Sequence, residues 1–165
     1  MSMSVGPEDA ALNYQLEMLK VEIETINSTI RQMDDISKSL KEWTVTIWAA
    51  SVGGALATNG LSRYVWATSA IPILFWIVDS YHHVVQRRFI WRGLEVMDFL
   101  NDERLTESFR QKRIVGFAVF DVGARRFRDP RFYKFTAWWR VALFRTISVL
   151  YLGLTLLSWA VWCMI

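Results

Sequence analysis

The sequence is poor in the residues on which most catalytic and metal-binding sites depend. It holds a single cysteine, Cys163, and two histidines, His82 and His83, which excludes an intrachain disulfide and a cysteine-based metal site. A P-loop, a Gly-x-Ser-x-Gly motif and a His-Glu-x-x-His motif are also absent. Neither histidine follows an arginine at the four-to-six-residue spacing of a common ribonuclease motif. We therefore predict that the protein is not an enzyme and binds neither cofactor nor metal.

Charged side chains are missing from three long segments, residues 43–57, 64–78 and 146–165. Each is close to the roughly 20 residues that a helix needs to cross a hydrocarbon core of about 30 Å. The composition agrees, with 53% apolar residues and nine tryptophans. The N-terminal residues 1–12 lack the basic start and apolar core of a signal peptide, so we expect insertion through the spans themselves. The sequence predicts an all-α membrane protein with three transmembrane helices.

One seven-residue register runs from Leu12 to Thr58 and changes chemistry halfway. In water a helix associates by hiding apolar side chains, whereas in a bilayer it associates through small and weakly polar ones. The register predicts one helix that is a cytoplasmic coiled coil over residues 1–42 and continues into the first span. The coiled-coil seam, predicted to drive oligomerisation, is Leu12, Leu16, Leu19, Ile23, Ile26, Ile30 and Met33. The small-residue face of the span is Thr44, Ser51, Gly54 and Thr58.

Both faces have two interpretations. The seam can form a parallel homo-oligomer or pack against another helix of the same chain. The small-residue face can pack closely against neighbouring helices, or it can line a narrow pore made by several copies of the span.

A transmembrane hairpin is predicted over residues 43–83, with its turn at Asn59-Gly60, a pair that tolerates positive φ. The second span is predicted to begin at Tyr64 and to kink at Pro72. It then continues out of the membrane as an amphipathic helix to Leu100, because apolar residues recur at spacings of three and four.

The remaining chain divides into a basic segment, residues 84–140, and a last span, residues 141–165. Within the basic segment, Asn101-Asp102 is predicted to cap a short helix that ends at Arg113. Residues 114–135 are predicted to form a loop or a short strand pair, because they contain two glycines and Asp129-Pro130.

The distribution of charge predicts the topology. Residues 84–140 hold thirteen basic and seven acidic side chains, whereas residues 1–42 hold four basic and eight acidic ones. By the positive-inside rule both segments are cytoplasmic and the C-terminus lies on the opposite side of the membrane. Arginines near Trp138 and Trp139 suit anionic lipid headgroups. The interspersed acids make a nucleic-acid partner the weaker interpretation.

Asp79 is the only acid inside a predicted span, and Arg145 lies at a similar depth in the third span. A charge at the centre of a membrane helix costs about 2.5–3.5 kcal/mol, so pairing removes a penalty. We predict a structural Asp79–Arg145 ion pair, with a titrating gate acid as the alternative. Asp79, His82 and His83 share the spacing of metal ligands, but histidines at the membrane interface explain them more simply.

The stretch Leu74–Phe89 reads LFWIVDSYHHVVQRRF, with an aromatic-Trp pair, an Asp and a Tyr at the end of a span, followed by a basic amphipathic helix. It resembles small bacterial membrane proteins of anti-phage defence systems, which are thought to be pore-forming effectors. The resemblance implies an oligomeric inner-membrane protein that stays silent until a separate cytoplasmic sensor protein signals. The expected function is therefore membrane permeabilisation. The alternative is a non-conducting, membrane-anchored scaffold whose coiled coil recruits a cytoplasmic partner.

Overall fold

A computed structural model describes residues 6–58, 60–121 and 130–165, and for Arg145 and Thr146 it describes the backbone alone. Within these ranges the chain is helical and contains no strand, which confirms the all-α prediction. The helices are α1 (Pro7–Ala57), a 3-10 helix (Ser62–Ser69), α2 (Ala70–Leu100), α3 (Glu103–Gln111), α4 (Pro130–Thr136), α5 (Trp138–Ala142) and α6 (Arg145–Met164).

Helix α1 is the long N-terminal helix that the seven-residue register predicted. Pro7 occupies its first turn together with Glu8 and Asp9, and a proline and acids are favoured there by φ and by the helix dipole. Its 51 residues extend over roughly 75 Å at about 1.5 Å per residue. The helix is thus far longer than a bilayer core, and part of it must lie in water if another part lies in lipid.

The second predicted span does not begin as an α-helix at Tyr64. Gly60 has the positive φ, 85°, that the predicted turn requires, while Asn59 lies outside the described residues. The chain then forms the 3-10 helix, and α2 begins only at Ala70. Pro72 consequently lies in the first turn of α2, where a proline is tolerated, and not in the middle of a helix.

Helix α2 returns antiparallel to α1, so that its C-terminal end meets the N-terminal half of α1. It ends at Leu100, and Asp102 caps α3 as predicted by accepting a hydrogen bond from the Arg104 amide at 2.9 Å. Helix α3 ends at Gln111, two residues before the predicted end. Lys112 follows with a φ of 55°.

The prediction for residues 114–135 is partly wrong. Residues 114–121 are irregular, with positive φ at Gly116 and Phe120, and residues 122–129 lie outside the described part of the chain. Helix α4 then begins at Pro130, a favoured first helical residue. The predicted last span is also divided, because α5 ends at Ala142 and α6 begins at Arg145.

An apolar core, which we call the lower core, joins the N-terminal half of α1 to the C-terminal half of α2. Phe99 is fully buried and its ring stacks on Phe117 at a centroid distance of 4.6 Å. Seam residues thus pack against another helix of the same chain, one of the two interpretations left open by the sequence. The buried members are Leu19, Ile26, Val96 and Phe99, and the half-buried members are Ile23, Ile30, Phe89, Leu105, Ile114 and Phe117.

Candidate functional site

The other end of the molecule, which we call the upper bundle, buries many polar side chains beside an apolar cluster around Ile147 and Tyr151 and exposes many large apolar ones. It is formed by residues 37–57 of α1, the 3-10 helix, residues 70–83 of α2, and α6. Many of its buried positions are polar: Ser37, Thr44, Thr68, Ser69, Asp79, Ser80, Ser148 and Ser158. Its outward surface is apolar, and includes Trp43, Val45, Ile47, Leu56, Leu74, Ile77, Val78, Val149, Leu152, Leu156 and Leu157. A helix bundle in water would show the opposite arrangement.

Hydrogen bonds between polar side chains join the helices of the upper bundle. The Trp48 indole donates to the Ser158 hydroxyl at 2.8 Å, and Thr68 donates to the same hydroxyl at 3.2 Å. The Trp76 indole donates to the Ala142 carbonyl at 3.0 Å. Small hydroxyl residues that bond across helices are typical of membrane helix packing.

Of the described residues, one helical stretch, Pro130–Met164, is long and apolar enough to cross a membrane, and it contains α6. The first two predicted spans are less apolar. Residues 43–57 are rich in Thr, Ser, Gly and Ala, and α2 has only Ala70–Val78 before it reaches Asp79. Three transmembrane helices therefore remain a prediction.

Asp79 is the centre of a polar cluster on which α1, α2 and α6 converge. Its side chain is 0% exposed. The Tyr151 hydroxyl donates to Asp79 Oδ2 at 3.0 Å, and Lys41 Nζ lies 3.9 Å from the same oxygen. His83 Nε2 lies 3.7 Å from Asp79 Oδ1, which accepts no hydrogen bond from the described residues.

From His83 the polar contacts continue to the protein surface. His83 Nε2 lies 3.1 Å from the Ser37 hydroxyl, and His83 Nδ1 lies 2.9 Å from Gln86 Oε1. The Gln86 amide donates to Asp34 Oδ1 at 2.7 Å. Because Asp34 is exposed, hydrogen-bonded polar groups lead from solvent to His83, whose Nε2 lies 3.7 Å from the buried Asp79. We call this series, from Asp34 to Tyr151, the polar chain.

The described partners of Asp79 are not the residue that the sequence predicted as its ion-pair partner. The described partners of Asp79 are Lys41, His83 and Tyr151. The structure describes only the backbone of Arg145, so the Asp79–Arg145 pair stays a prediction. His83 could have been found from the sequence, because it follows Asp79 by four residues and so shares its helical face. Lys41 and Tyr151 carry no comparable local signal.

The metal interpretation gains no support from the geometry. His82 Nδ1 lies 2.9 Å from the carbonyl of Val78, a contact within α2. No group of three or more His, Cys, Asp or Glu side chains in the described ranges could hold a metal ion.

The small-residue face of α1 passes from buried to exposed along the helix. Thr44 is fully buried and donates to the Leu40 carbonyl, Ser51 is half-buried, and Gly54 and Thr58 are exposed. A Cβ atom added at Gly54 would meet nothing within 4 Å. The upper part of this face is therefore not packed against any described helix of its own chain.

A second buried charged group lies in the lower core. Arg92 Nε bonds to Glu22 Oε1, and the two side chains are only 5% and 4% exposed. Arg92 also donates to the Ala118 carbonyl at 2.6 Å and lies over the Phe117 ring at 4.5 Å. The Phe120 amide donates to the other Glu22 oxygen at 2.9 Å. The pair fastens residues 117–120 to the α1–α2 hairpin, and sequence reasoning missed it.

Arg87 attaches the short helices to α2. Its guanidinium donates to the Phe135 carbonyl at 2.7 Å and lies over the rings of Phe135 and Phe144 at 4.9 and 4.2 Å. Partial burial lowers the pKa of Arg87. The chain on both sides of α5 is thereby held against the middle of α2.

No protein-family model, curated protein or solved structure matches this chain. The resemblance of Leu74–Phe89 to membrane proteins of defence systems therefore remains a hypothesis, and the function must be inferred from the geometry.

Proposed function

We propose that this protein is an integral protein of the bacterial inner membrane that oligomerises and permeabilises the membrane, as an effector of anti-phage defence. The observation that carries the proposal is the inverted upper bundle, with hydroxyl groups and Asp79 inside and large apolar side chains outside. Exposed apolar side chains in this number favour contact with lipid over contact with water. In the proposed topology the lower core and the basic residues 84–140 are cytoplasmic, and the C-terminus is periplasmic.

The proposed surface for assembly is the upper, exposed part of the small-residue face. Gly53 and Gly54 have open space beside them, and Thr58 is exposed. Such residues allow helices in lipid to approach closely, and hydroxyl groups can line a narrow pore. The apolar seam is a weaker candidate for assembly, because α2 and residues 114–117 already cover it within the chain.

The burial of the coiled-coil seam favours an effector over the scaffold. A scaffold would recruit its partner through the coiled-coil seam, yet Leu19 and Ile26 are buried against Val96 and Phe99. A partner could reach them only after displacing α2. The exposed Gly53–Gly54 surface involves no such displacement.

The proposal can be tested by dye and ion leakage from liposomes that contain the purified protein, with its mass determined by light scattering. Gly54→Leu adds bulk to the proposed face without an internal clash. Ala49→Leu is the matched control, because Ala49 is exposed on the same helix and lies about 140° around it at about 100° per residue. We expect leakage from the wild type and from Ala49→Leu, and none from Gly54→Leu.

Two outcomes would count against the proposal. Equal leakage from Gly54→Leu and the wild type would show that the small-residue face is not the conducting or assembling surface. An intact oligomer that never leaks would favour the scaffold interpretation, or an effector that stays closed until its sensor protein signals.

A further inference from the structure

One oxygen of Asp79 has no hydrogen-bond donor among the described side chains. Asp79 Oδ2 accepts a hydrogen bond from Tyr151, but the buried Asp79 Oδ1 accepts none from any described residue. Buried acceptors without a donor are rare because their lost hydration is not replaced. His83 Nε2 lies 3.7 Å from Oδ1, beyond hydrogen-bonding distance.

The contacts of Gln86 fix where His83 carries its proton when it is neutral. The Gln86 amide nitrogen faces Asp34 Oδ1 at 2.7 Å and the Ile30 carbonyl at 3.4 Å, and both are acceptors only. The Gln86 oxygen must therefore point toward His83 Nδ1, at 2.9 Å. Because that oxygen can only accept, Nδ1 carries the hydrogen.

His83 Nε2 is consequently unprotonated in the neutral ring and accepts from the Ser37 hydroxyl at 3.1 Å. The Asp79 Oδ1 carboxylate oxygen lies 3.7 Å from this unprotonated nitrogen. A proton added to Nε2 would place a positively charged ring beside the carboxylate, which is an attractive arrangement. His83 Nε2 can therefore bind one proton beside Asp79 Oδ1.

The charges around the site also favour that proton. From α1 the site is faced by Lys41 and, through Gln86, by Asp34; from α6 it is faced by the Tyr151 hydroxyl. The side chain of Arg145 is outside the described part of α6. With neutral His83, two carboxylates face one ammonium group. Protonation of His83 brings these formal charges to zero.

We propose that His83 and Asp79 form a proton-binding site, in which one proton is held on His83 Nε2 facing Asp79 Oδ1. Bound there, the proton strengthens the point at which α1, α2 and α6 meet. In a further step, which rests on the proposed function, loss of the proton as pH rises loosens this junction and increases permeability.

The test uses the full-length protein, labelled with ¹⁵N-histidine and placed in lipid nanodiscs, and follows the imidazole signals over pH. The chain has only two histidines, so His82 serves as an internal control. We expect His83 to show the Nδ1–H tautomer when neutral. In Asp79→Asn the His83 ring should lose its proton at a lower pH than in the wild type, because the neighbouring negative charge is gone. The His82 titration should stay unchanged.

Ser37→Ala provides the opposite change. It removes the donor that favours an unprotonated Nε2 but leaves Asp79 in place, so His83 should keep its proton to higher pH. If Asp79→Asn does not fold, Ser37→Ala alone still tests the proposal. An Nε2–H tautomer in neutral His83, or a His83 titration that neither variant moves, would overturn the proposal. The signals report proton binding whether or not the protein leaks, so this result is independent of the permeabilisation test.

Discussion

Replacing Arg92 with methionine should destabilise the lower core more than the loss of any exposed ion pair. The change leaves the Glu22 carboxylate buried, and removal of one partner from a buried pair costs about 3–5 kcal/mol. Glu22 would keep only its hydrogen bond from the Phe120 amide. Arg110→Met is the matched control, because the Arg110 side chain is 77% exposed beside Glu107 and exposed pairs contribute about 0–1 kcal/mol.

Two readouts separate local from global effects in the Arg92→Met protein. Unfolding of the detergent-solubilised protein, followed by tryptophan fluorescence, reports the change in the free energy of unfolding. Hydrogen exchange reports the Phe120 amide, which should exchange roughly a hundredfold faster or more if about 3 kcal/mol is lost.

The double variant Glu22→Leu with Arg92→Met tests the physical reason. Because it removes both charges, it should be less destabilised than Arg92→Met alone. The lost hydrogen bond from the Phe120 amide to Glu22 should offset only part of that difference. The reasoning would be refuted if Arg92→Met were no more destabilising than Arg110→Met. A double variant with the summed cost of its two single changes would also contradict it.

Three further predictions concern other parts of the molecule. Phe99→Ala, in the lower core, should lower the free energy of unfolding by about 3–5 kcal/mol, since the ring is fully buried; a loss below 1 kcal/mol in the same fluorescence assay would contradict the assigned packing. Tyr151→Phe should lower the free energy of unfolding by about 1–3 kcal/mol, because it removes the hydrogen bond that the Tyr151 hydroxyl donates to the buried Asp79 carboxylate; unchanged thermal stability would contradict that bond. The hydrogen bond from the Arg104 backbone N–H lowers the pKa of Asp102. The Asp102 cap therefore stabilises α3 fully above the ordinary Asp pKa, near 4, and this stabilisation is lost as the pH falls through the lowered pKa. Hydrogen exchange of α3 should quicken at acidic pH in the wild type but not in Asp102→Asn, which keeps a capping oxygen.

Local patterns predicted several elements of the fold. The seven-residue register predicted α1, and the cap at Asp102 predicted the start of α3, because both depend on residues close together in sequence. The start of α2 was misplaced, since the composition of residues 62–69 does not distinguish a 3-10 helix from an α-helix. Helix α4 was missed, because Asp129-Pro130 was interpreted as a loop although proline also begins helices.

The candidate site was less predictable because its contacts join residues far apart in the chain. An apolar seam predicts association but does not identify the partner, and here much of it packs against α2. The pairing of Glu22 with Arg92, seventy residues apart, leaves no local periodicity. Asp79 was recognised as unusual because a membrane charge requires partners. Which groups surround it depends on how α1, α2 and α6 meet.

The most direct test of the account is whether the apolar outer surface of the upper bundle lies in lipid. Cys163 is the only cysteine, so its replacement by serine allows single cysteines to be introduced as Leu156→Cys and Tyr14→Cys. The two native side chains are similarly exposed in the chain itself, at 69% and 66%, so burial within one chain cannot explain a difference. A membrane-impermeant maleimide is added to proteoliposomes opened by freezing and thawing, with labelling in SDS as the reference. The account predicts that Tyr14→Cys is labelled and Leu156→Cys is protected until SDS is added. Equal labelling of both would contradict it.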